Sequence, residues 1–207
     1  MKNNKTFIIL IAVFIAVLVG AGILYNSLSD EYGPASLATA DTAPNTTASE
    51  GTSDPAATTD VTDASEATTP KVLDFTVTDE AGNLVDLYDF LGKPIILNFW
   101  ASWCGPCRSE MPDIQKAYET YGQDIHFLIV NLTDGSRETV DAATDYITQA
   151  GYTFPVYFDT TLEAGITYGA SAIPITFFID AEGYGVAYAQ SALSRETLQT
   201  GIDMLLS

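Results

Sequence analysis

Residues 71–207 of this 207-residue chain predict an α/β fold with a central mixed β-sheet flanked by helices. Short apolar runs alternate with segments that repeat apolar residues at helical spacing, and this alternation is typical of a sheet covered on both faces. The last two strands are separated only by the turn at 180–183, so they should pair antiparallel and make the sheet mixed. The two cysteines of the chain follow a strand that is apolar almost throughout.

The predicted strands are either alternating or continuously apolar. Residues 73–77 alternate apolar and polar side chains, and a turn-rich segment at 79–83 leads into a second strand at 84–87, so a hairpin is expected. The run at 95–100 is apolar apart from Asn98, which indicates a strand buried on both faces. Further strands are expected at 125–132, 154–158, 175–179 and 186–190, the last of them at an edge of the sheet.

The predicted helices are marked by their ends. Apolar residues at helical spacing and the closing Gly122 predict a helix over 107–121, which Pro112 should kink. The other helical segments are a turn at 87–92, a helix capped by Ser136 and closed by Gly151, a short helix at 162–168 and a final helix capped by Ser194.

An uncharged apolar run at 7–25 precedes the domain, with Lys2 and Lys5 before it and acidic residues first after it. Nineteen residues at about 1.5 Å each span roughly 28 Å, close to the hydrocarbon thickness of a bilayer. We therefore expect residues 1–25 to be a transmembrane anchor with a cytoplasmic amino terminus. A cleaved signal peptide is the alternative, but its apolar core is usually shorter. Both interpretations place the domain on the extracytoplasmic side of the cytoplasmic membrane.

Residues 26–70 are mostly Ala, Thr, Ser and acidic residues, without Lys or Arg. Such a segment buries too little apolar surface to offset chain entropy, so we expect a disordered linker that acts as a tether or as filler.

The formal net charge of the chain is -19, with 8 Lys and Arg, which argues against nucleic-acid binding. Only His126 accompanies the two cysteines as a soft ligand, so no metal is expected.

Cys104 and Cys107 stand between a buried strand and a helix start, which is the context of a redox-active pair. Only a thiolate attacks a disulfide, and the first turn of a helix offers unpaired N–H groups and the positive end of the dipole. Cys104 is therefore predicted to be the exposed nucleophile with a lowered pKa, and Cys107 the buried thiol that resolves the mixed disulfide. Gly105 and Pro106 suit a tight helix entry. An inert bridge is the alternative, although so short a loop closes little chain entropy.

Glu110 lies one helical turn after Cys107, on the same side of the helix. Its carboxylate is a candidate to take or give the proton of Cys107 during resolution, and an exposed helix acid is the other interpretation of that spacing. Asn98 on the preceding strand has an amide that does not titrate at neutral pH. Trp103, beside Cys104, is either a contact surface or part of the packing.

Two segments carry a resemblance to a known family, LNFWASWCGPCRSEMP at 97–112 and IPITFFID at 173–180. They resemble the thioredoxin fold and, within it, the bacterial membrane-anchored TlpA/ResA-like thiol–disulfide oxidoreductases. The resemblance covers essentially all of 71–207. It implies a thioredoxin-like domain with an amino-terminal β-hairpin and a helix-containing insertion at 133–154. Thioredoxin itself usually has a buried aspartate where this chain has Asn98.

The resemblance also implies roles for individual residues. It implies that Glu110 takes part in catalysis with Cys104 and Cys107, and that the peptide bond before Pro174 is cis and packs beside the cysteines. No cofactor is implied beyond the redox-active disulfide. The remaining residues that it implies in substrate contact are Trp103, Gly105, Pro106 and Ile173.

The expected activity is the reduction of disulfides in exported proteins, for example during cytochrome c maturation, through Cys104 and Cys107. The resemblance implies a membrane electron donor of the CcdA/DsbD type as a partner. A thiol peroxidase and a metal- or haem-assembly binding module are the alternatives, and the shortage of His and Met near the pair argues against the second. The direction of electron transfer and the identity of the substrate are not encoded in these patterns.

Overall fold

The computed structural model describes residues 38–39 and 71–207. The predicted anchor at 1–25 and all of the predicted linker at 26–70 except Ala38 and Thr39 lie outside these residues. Within the part of the chain that is described, none of the helices has both the length and the apolar character needed to cross a bilayer.

An eight-stranded mixed sheet forms the centre of the domain, in the spatial order β1-β8-β7-β4-β5-β6-β2-β3. β4, β5 and β6 are parallel to one another, and the other pairs are antiparallel. The strands are β1 (Ala38–Thr39), β2 (Thr76–Thr78), β3 (Leu84–Asp86), β4 (Ile95–Trp100), β5 (His126–Asn131), β6 (Val156–Phe158), β7 (Ile175–Ile179) and β8 (Gly185–Gln190). The helices are α1 (Gly105–Tyr121), α2 (Val140–Ala150), α3 (Glu163–Thr167) and α4 (Arg195–Leu205), with a 3-10 helix at Leu87–Phe90.

The predicted fold class is confirmed. The amino-terminal hairpin of β2 and β3 is present, and the insertion between β5 and β6 contains α2. β4 and β7 have their predicted bounds because each is an apolar run interrupted by one polar residue, Asn98 and Thr176. β6 begins two residues later than predicted, at Val156, because Pro155 has no N–H to donate to a ladder.

The prediction that β8 is an edge strand is wrong. β1 pairs with it antiparallel, Ala38 opposite Tyr188 and Thr39 opposite Ala187, so two residues of the predicted linker belong to the sheet. Strand pairing uses backbone groups that every residue carries, and the polar, low-complexity composition around Ala38 gives no sign of it.

The sequence predicted that Ser136 caps α2, and this prediction is wrong. The cap is Thr139, whose hydroxyl oxygen accepts a hydrogen bond from the N–H of Ala142 at 3.1 Å. Ser136 instead lies in a turn in which the Asp134 carboxylate accepts hydrogen bonds from backbone N–H groups. Ser136 and Thr139 both carry a hydroxyl group near the start of α2. The turn held by Asp134 occupies the residues around Ser136, so the helix starts three residues later than predicted. The closing Gly151 and the Ser194 cap of α4 are confirmed.

The two faces of the sheet bury separate apolar clusters. Along β4, Ile96 and Trp100 face the cluster that contains α1, α2, α4 and both cysteines. Leu97 and Phe99 face the opposite cluster, beneath α3 and the hairpin. The alternation places Asn98 on the cysteine side, because successive side chains of a strand point to opposite faces.

Helix α4 reaches the sheet through a glycine. A Cβ at Gly201 would overlap the ring of Phe178 on β7, so the helix can sit this close only without a side chain there.

We expect Gly201→Ala to lower the free energy of unfolding by about 1–3 kcal/mol, since overpacking forces the helix outward. Urea titration of the full chain measures this. The exposed neighbour substitution Thr200→Ala should change it by less than about 0.5 kcal/mol, and equal effects of the two would refute the close-packing explanation.

Candidate active site

Cys104 and Cys107 form a disulfide at the start of α1, with Cα atoms 5.3 Å apart. Four residues after β4 ends, Cys104 occupies the position that caps the helix, and its Sγ accepts a hydrogen bond from the Cys107 N–H at 3.2 Å. Pro106 fits the first turn because it lacks an N–H that would need a partner there. The predicted placement of the pair at a helix start is confirmed.

The expected exposure of Cys104 is wrong for this disulfide form. Cys104 is 4% exposed and Cys107 is fully buried. Cys104 is covered because the loop before β7 closes over it, with its Sγ 3.7 Å from the carbonyl oxygen of Ile173. The order of exposure still matches the predicted roles, because an attacking partner meets the sulfur of Cys104 first.

The peptide bond between Ile173 and Pro174 is cis, as the resemblance implied. Ile175 pairs with Phe99 at the end of β4, so this loop lies directly beside the segment that leads to Cys104. Around the sulfur, Trp103, Gly105 and Pro106 are exposed and Ile173 is half-buried. These residues surround the one sulfur that reaches the surface, and their contact with substrate stays a prediction.

Glu110 is buried, with 1% of its surface exposed, so its interpretation as an exposed helix acid is wrong. Its Oε1 accepts a hydrogen bond from the Asn98 amide at 2.8 Å, and its Oε2 accepts one from the Leu193 N–H at 2.7 Å. The Asn98 amide also donates to the Thr176 hydroxyl at 2.9 Å. Glu110 therefore joins α1 to β4 and to the segment before α4.

Burial raises the pKa of the Glu110 carboxyl to about 7, and the hydrogen bonds from Leu193 and Asn98 limit the rise. Both protonation states are therefore populated near neutral pH. A carboxyl in that state, one helical turn from Cys107, suits proton exchange with a thiol.

Asn98 can adapt to either state of Glu110. Its Oδ1 is buried and has no hydrogen-bond partner among the described residues. Rotating the amide by half a turn would present Oδ1 to Glu110 and to the Thr176 hydroxyl, which can donate as well as accept. One orientation thus serves the ionised carboxylate, and the other would accept the proton of the neutral acid.

A second buried carboxylate, Glu138, was not singled out by the sequence. Its Oε1 accepts hydrogen bonds from the Ser102 N–H at 2.8 Å and the Asn131 amide at 2.7 Å, and its Oε2 accepts one from the Ser102 hydroxyl at 2.8 Å. It is fully buried and ties the loop before Cys104 to the end of β5. The available signal was that polar residues lie close to the ends of two neighbouring parallel strands, Ser102 two residues after β4 and Asn131 at the end of β5.

Two arginines lie over aromatic rings near the disulfide. The guanidinium of Arg137 is 3.5 Å from the centroid of the Trp103 ring, and that of Arg108 is 5.0 Å from the centroid of Tyr146. Trp103 is 42% exposed, so it carries the arginine on its ring and still presents surface beside Cys104.

His126 and the other possible metal ligands do not form a cluster among the described residues. In the stretch 71–207, no three side chains of His, Cys, Asp or Glu are grouped so that they could hold a metal ion. His126 starts β5, opposite Ile95, at the end of β4 far from the disulfide, and it packs edge-on against Phe90. Its predicted structural role fits this position.

A strand that leads into a disulfide at a helix start, with a cis-proline loop beside it, is the arrangement of the thioredoxin fold. Residues 69–186 match the AhpC/TSA family. The thiol-disulfide oxidoreductase ResA of Bacillus thuringiensis subsp. konkukian is 35% identical over 125 residues, 60% of this chain and 70% of the relative.

Solved structures agree with this match. A DsbF homologue from Corynebacterium diphtheriae is 28% identical with a TM-score of 0.59, covering 69% of this chain and 90% of its own. StoA from Bacillus subtilis is 27% identical with a TM-score of 0.55, covering 64% and 99%. This chain belongs to the AhpC/TSA family, and it is a thiol–disulfide oxidoreductase of the ResA-like type.

The raised pKa of Glu110 should appear in the pH dependence of stability. The folded protein holds this proton more tightly than the unfolded chain, so the contribution is complete below about pH 4.5 and is lost as the pH rises through 7. Urea titrations of the oxidised full chain at pH 4.5 to 8 should show Glu110→Gln losing less stability than the wild type, by about 3 kcal/mol at most. Glu119→Gln, at an exposed position of the same helix, should follow the wild type. Parallel curves for wild type and Glu110→Gln would contradict the raised pKa.

Removing the Glu138 carboxylate should weaken the loop before the disulfide. Glu138→Ala leaves the Ser102 N–H and the Asn131 amide without their buried acceptor, and we expect a loss of about 2–4 kcal/mol in the free energy of unfolding. The midpoint of urea unfolding measures it. The matched change Glu80→Ala, in the exposed turn of the hairpin, removes the same charge and should have little effect. Similar losses would mean that net charge, and not these hydrogen bonds, explains the result.

Proposed function

We propose that this protein reduces disulfides of exported proteins on the extracytoplasmic side of the cytoplasmic membrane. The observation that carries the proposal is the Cys104–Cys107 disulfide at a helix start, one helical turn from a buried carboxyl whose pKa is about 7. This combination supplies a nucleophile, a resolving thiol and a proton acceptor in one short segment.

The reaction is a two-step exchange that starts from the reduced protein. The thiolate of Cys104 attacks one sulfur of the substrate disulfide, the substrate S–S bond breaks, and a mixed disulfide forms while one substrate thiolate leaves and is protonated. Cys107 then loses its proton and attacks the Cys104 sulfur, which releases the second substrate thiolate. Two electrons pass to the substrate, whose two thiolates take up one proton from Cys107 and one from solvent, and the protein is left with its disulfide.

Glu110 is proposed to act on Cys107. As a carboxylate it accepts the Cys107 proton in the second step, when a thiolate is needed inside the protein. In the return reaction it gives the proton back. A pKa near 7 suits both directions, because neither form of the acid is strongly favoured at neutral pH.

The same group supports the proposed direction of transfer. A thiol–disulfide protein is a strong oxidant when its reduced form is stabilised, and a thiolate of low pKa stabilises that form. A buried carboxyl that is partly ionised at neutral pH has the opposite effect, because its negative charge disfavours a thiolate nearby. The disulfide is then the favoured state of the pair, which makes the reduced protein a reductant.

The location and partners rest on the amino-terminal sequence. The apolar run of residues 1–25 and the acidic segment 26–70 are proposed as anchor and tether. A reductant outside the cytoplasm needs electrons from within, and a membrane dithiol carrier of the CcdA/DsbD type is the proposed donor. Cytochrome c apoproteins are one proposed class of substrate, since their haem-binding cysteines must be reduced.

Trapping tests this proposal directly. In Cys107→Ala the second step cannot occur, so Cys104 should remain joined to its substrates in mixed disulfides, which mass spectrometry of the purified membrane-bound protein identifies. Cys104→Ala should trap nothing, because Cys107 is fully buried. The reverse result would exchange the two roles.

Two further measurements decide the reaction class. The wild-type pair should be mostly reduced in growing cells and should have a reduction potential nearer the thioredoxin value of about -270 mV than the DsbA value of about -120 mV. A potential at the oxidising end would overturn the direction. Rapid loss of the Cys104 thiol with peroxide, absent in Cys104→Ser, would instead support the thiol peroxidase, and metal retained after purification would support the metal- or haem-assembly module.

A further inference from the structure

The disulfide lies between two different flanks. On one side of β4, β7 brings the loop with Ile173 and Pro174 to the pair. On the other side β5 ends at Asn131, opposite Trp100, and leads into the turn at 134–138. The first flank is apolar, and the second carries Arg137.

The second flank is held rigidly against the pair. The Asp134 carboxylate accepts hydrogen bonds from the N–H groups of Ser136, Arg137 and Glu138 at 2.7–3.0 Å, which fixes the turn. The Glu138 carboxylate then binds Ser102, two residues before Cys104. The backbone at Arg137 is therefore held beside the segment that leads to the disulfide.

The two arginines near the pair keep their hydrogen-bonding capacity. Arg137 lies on the ring of Trp103, next to Cys104, and Arg108 follows Cys107 and lies over Tyr146 of α2. Within the described part of the chain, neither guanidinium forms an ion pair or a side-chain hydrogen bond. The pairs that are formed there both involve Asp113, with Lys116 and Arg195.

Nearby acids do not occupy these cations. The carboxylates closest to Arg137 in sequence, Asp134 and Glu138, are directed at backbone N–H groups, Ser102 and Asn131. Each guanidinium carbon lies over a ring, and the N–H donors have no carboxylate partner among the described residues, so they are available to another partner. A guanidinium edge matches a carboxylate, with two parallel hydrogen bonds.

We propose that Arg137 and Arg108 determine specificity by each binding an Asp or Glu side chain of the substrate beside its disulfide, on the flank that faces α2. This inference rests on the proposed reductase function and adds a substrate class to it. It runs against the overall charge: with a net charge of -19, the chain as a whole repels acidic segments. Preference for an acidic substrate therefore requires local cations.

Two synthetic peptides test the inference. Each contains one intramolecular disulfide, and they differ only in having Glu or Gln next to each cysteine. The reduced full chain in non-ionic detergent is mixed with each at low salt, and its oxidation is followed by acid quenching and thiol labelling. Rates are divided by those of dithiothreitol with the same peptide, which removes differences in the peptides' own reactivity.

We expect the Glu peptide to react about three- to tenfold faster than the Gln peptide, the range for two partly exposed ion pairs. The advantage should fall below about twofold in 1 M salt, where such pairs are screened. Arg137→Gln and Arg108→Gln should each lower the ratio of the Glu-peptide rate to the Gln-peptide rate, and a urea-unfolding midpoint close to that of the wild type shows that the variants are folded. Lys93→Gln removes the same charge before β4, at the opposite end from the disulfide, and should keep the preference.

The outcomes separate the two proposals. Equal rates for both peptides, or a slower Glu peptide, would overturn the role of the arginines and leave the reductase function standing. An unchanged preference in the Arg137→Gln, Arg108→Gln double variant would do the same. Failure to reduce either peptide, while dithiothreitol reduces both, would overturn the reductase function and this inference with it.

Discussion

The structure around the disulfide depends on the hydrogen bonds of one buried carboxyl. Glu110 of α1 accepts from Asn98 in the centre of the sheet and from Leu193 ahead of α4, so a single side chain connects three elements. A buried carboxyl without partners is strongly unfavourable, and these contacts make its position tenable. They also hold it one turn from Cys107, where its partial ionisation can influence the thiols. Packing and proposed chemistry thus rely on the same contacts.

Much of the fold was predictable because its signals are local. Nearly continuous apolar runs predicted the correct bounds of β4 and β7, and Gly151 and Ser194 marked helix ends by their own backbone and side-chain preferences. The pair of cysteines was located by the same kind of information, since its meaning comes from the strand before it and the helix after it. The spacing of Glu110 from Cys107 placed it on the correct side of α1.

The features that sequence reasoning missed depend on contacts between distant residues. The pairing of Ala38 and Thr39 with β8 uses backbone groups, and the burial of Cys104 comes from the loop at Ile173. Glu138 looks like any other acid of an acidic chain until the fold brings it to Ser102, 36 residues earlier. Composition and periodicity carry no information about such partners, and only the assembled sheet puts them together.

The amide at Asn98 has a consequence for how the buried site stores charge. A carboxyl at this strand position would share protons with Glu110, and the two would titrate as a coupled pair with two separate steps. An amide holds no proton of its own and can only turn to face the state its neighbour adopts. At this point of the core the disulfide form therefore has one titrating group, Glu110, whose carboxyl is either protonated or ionised.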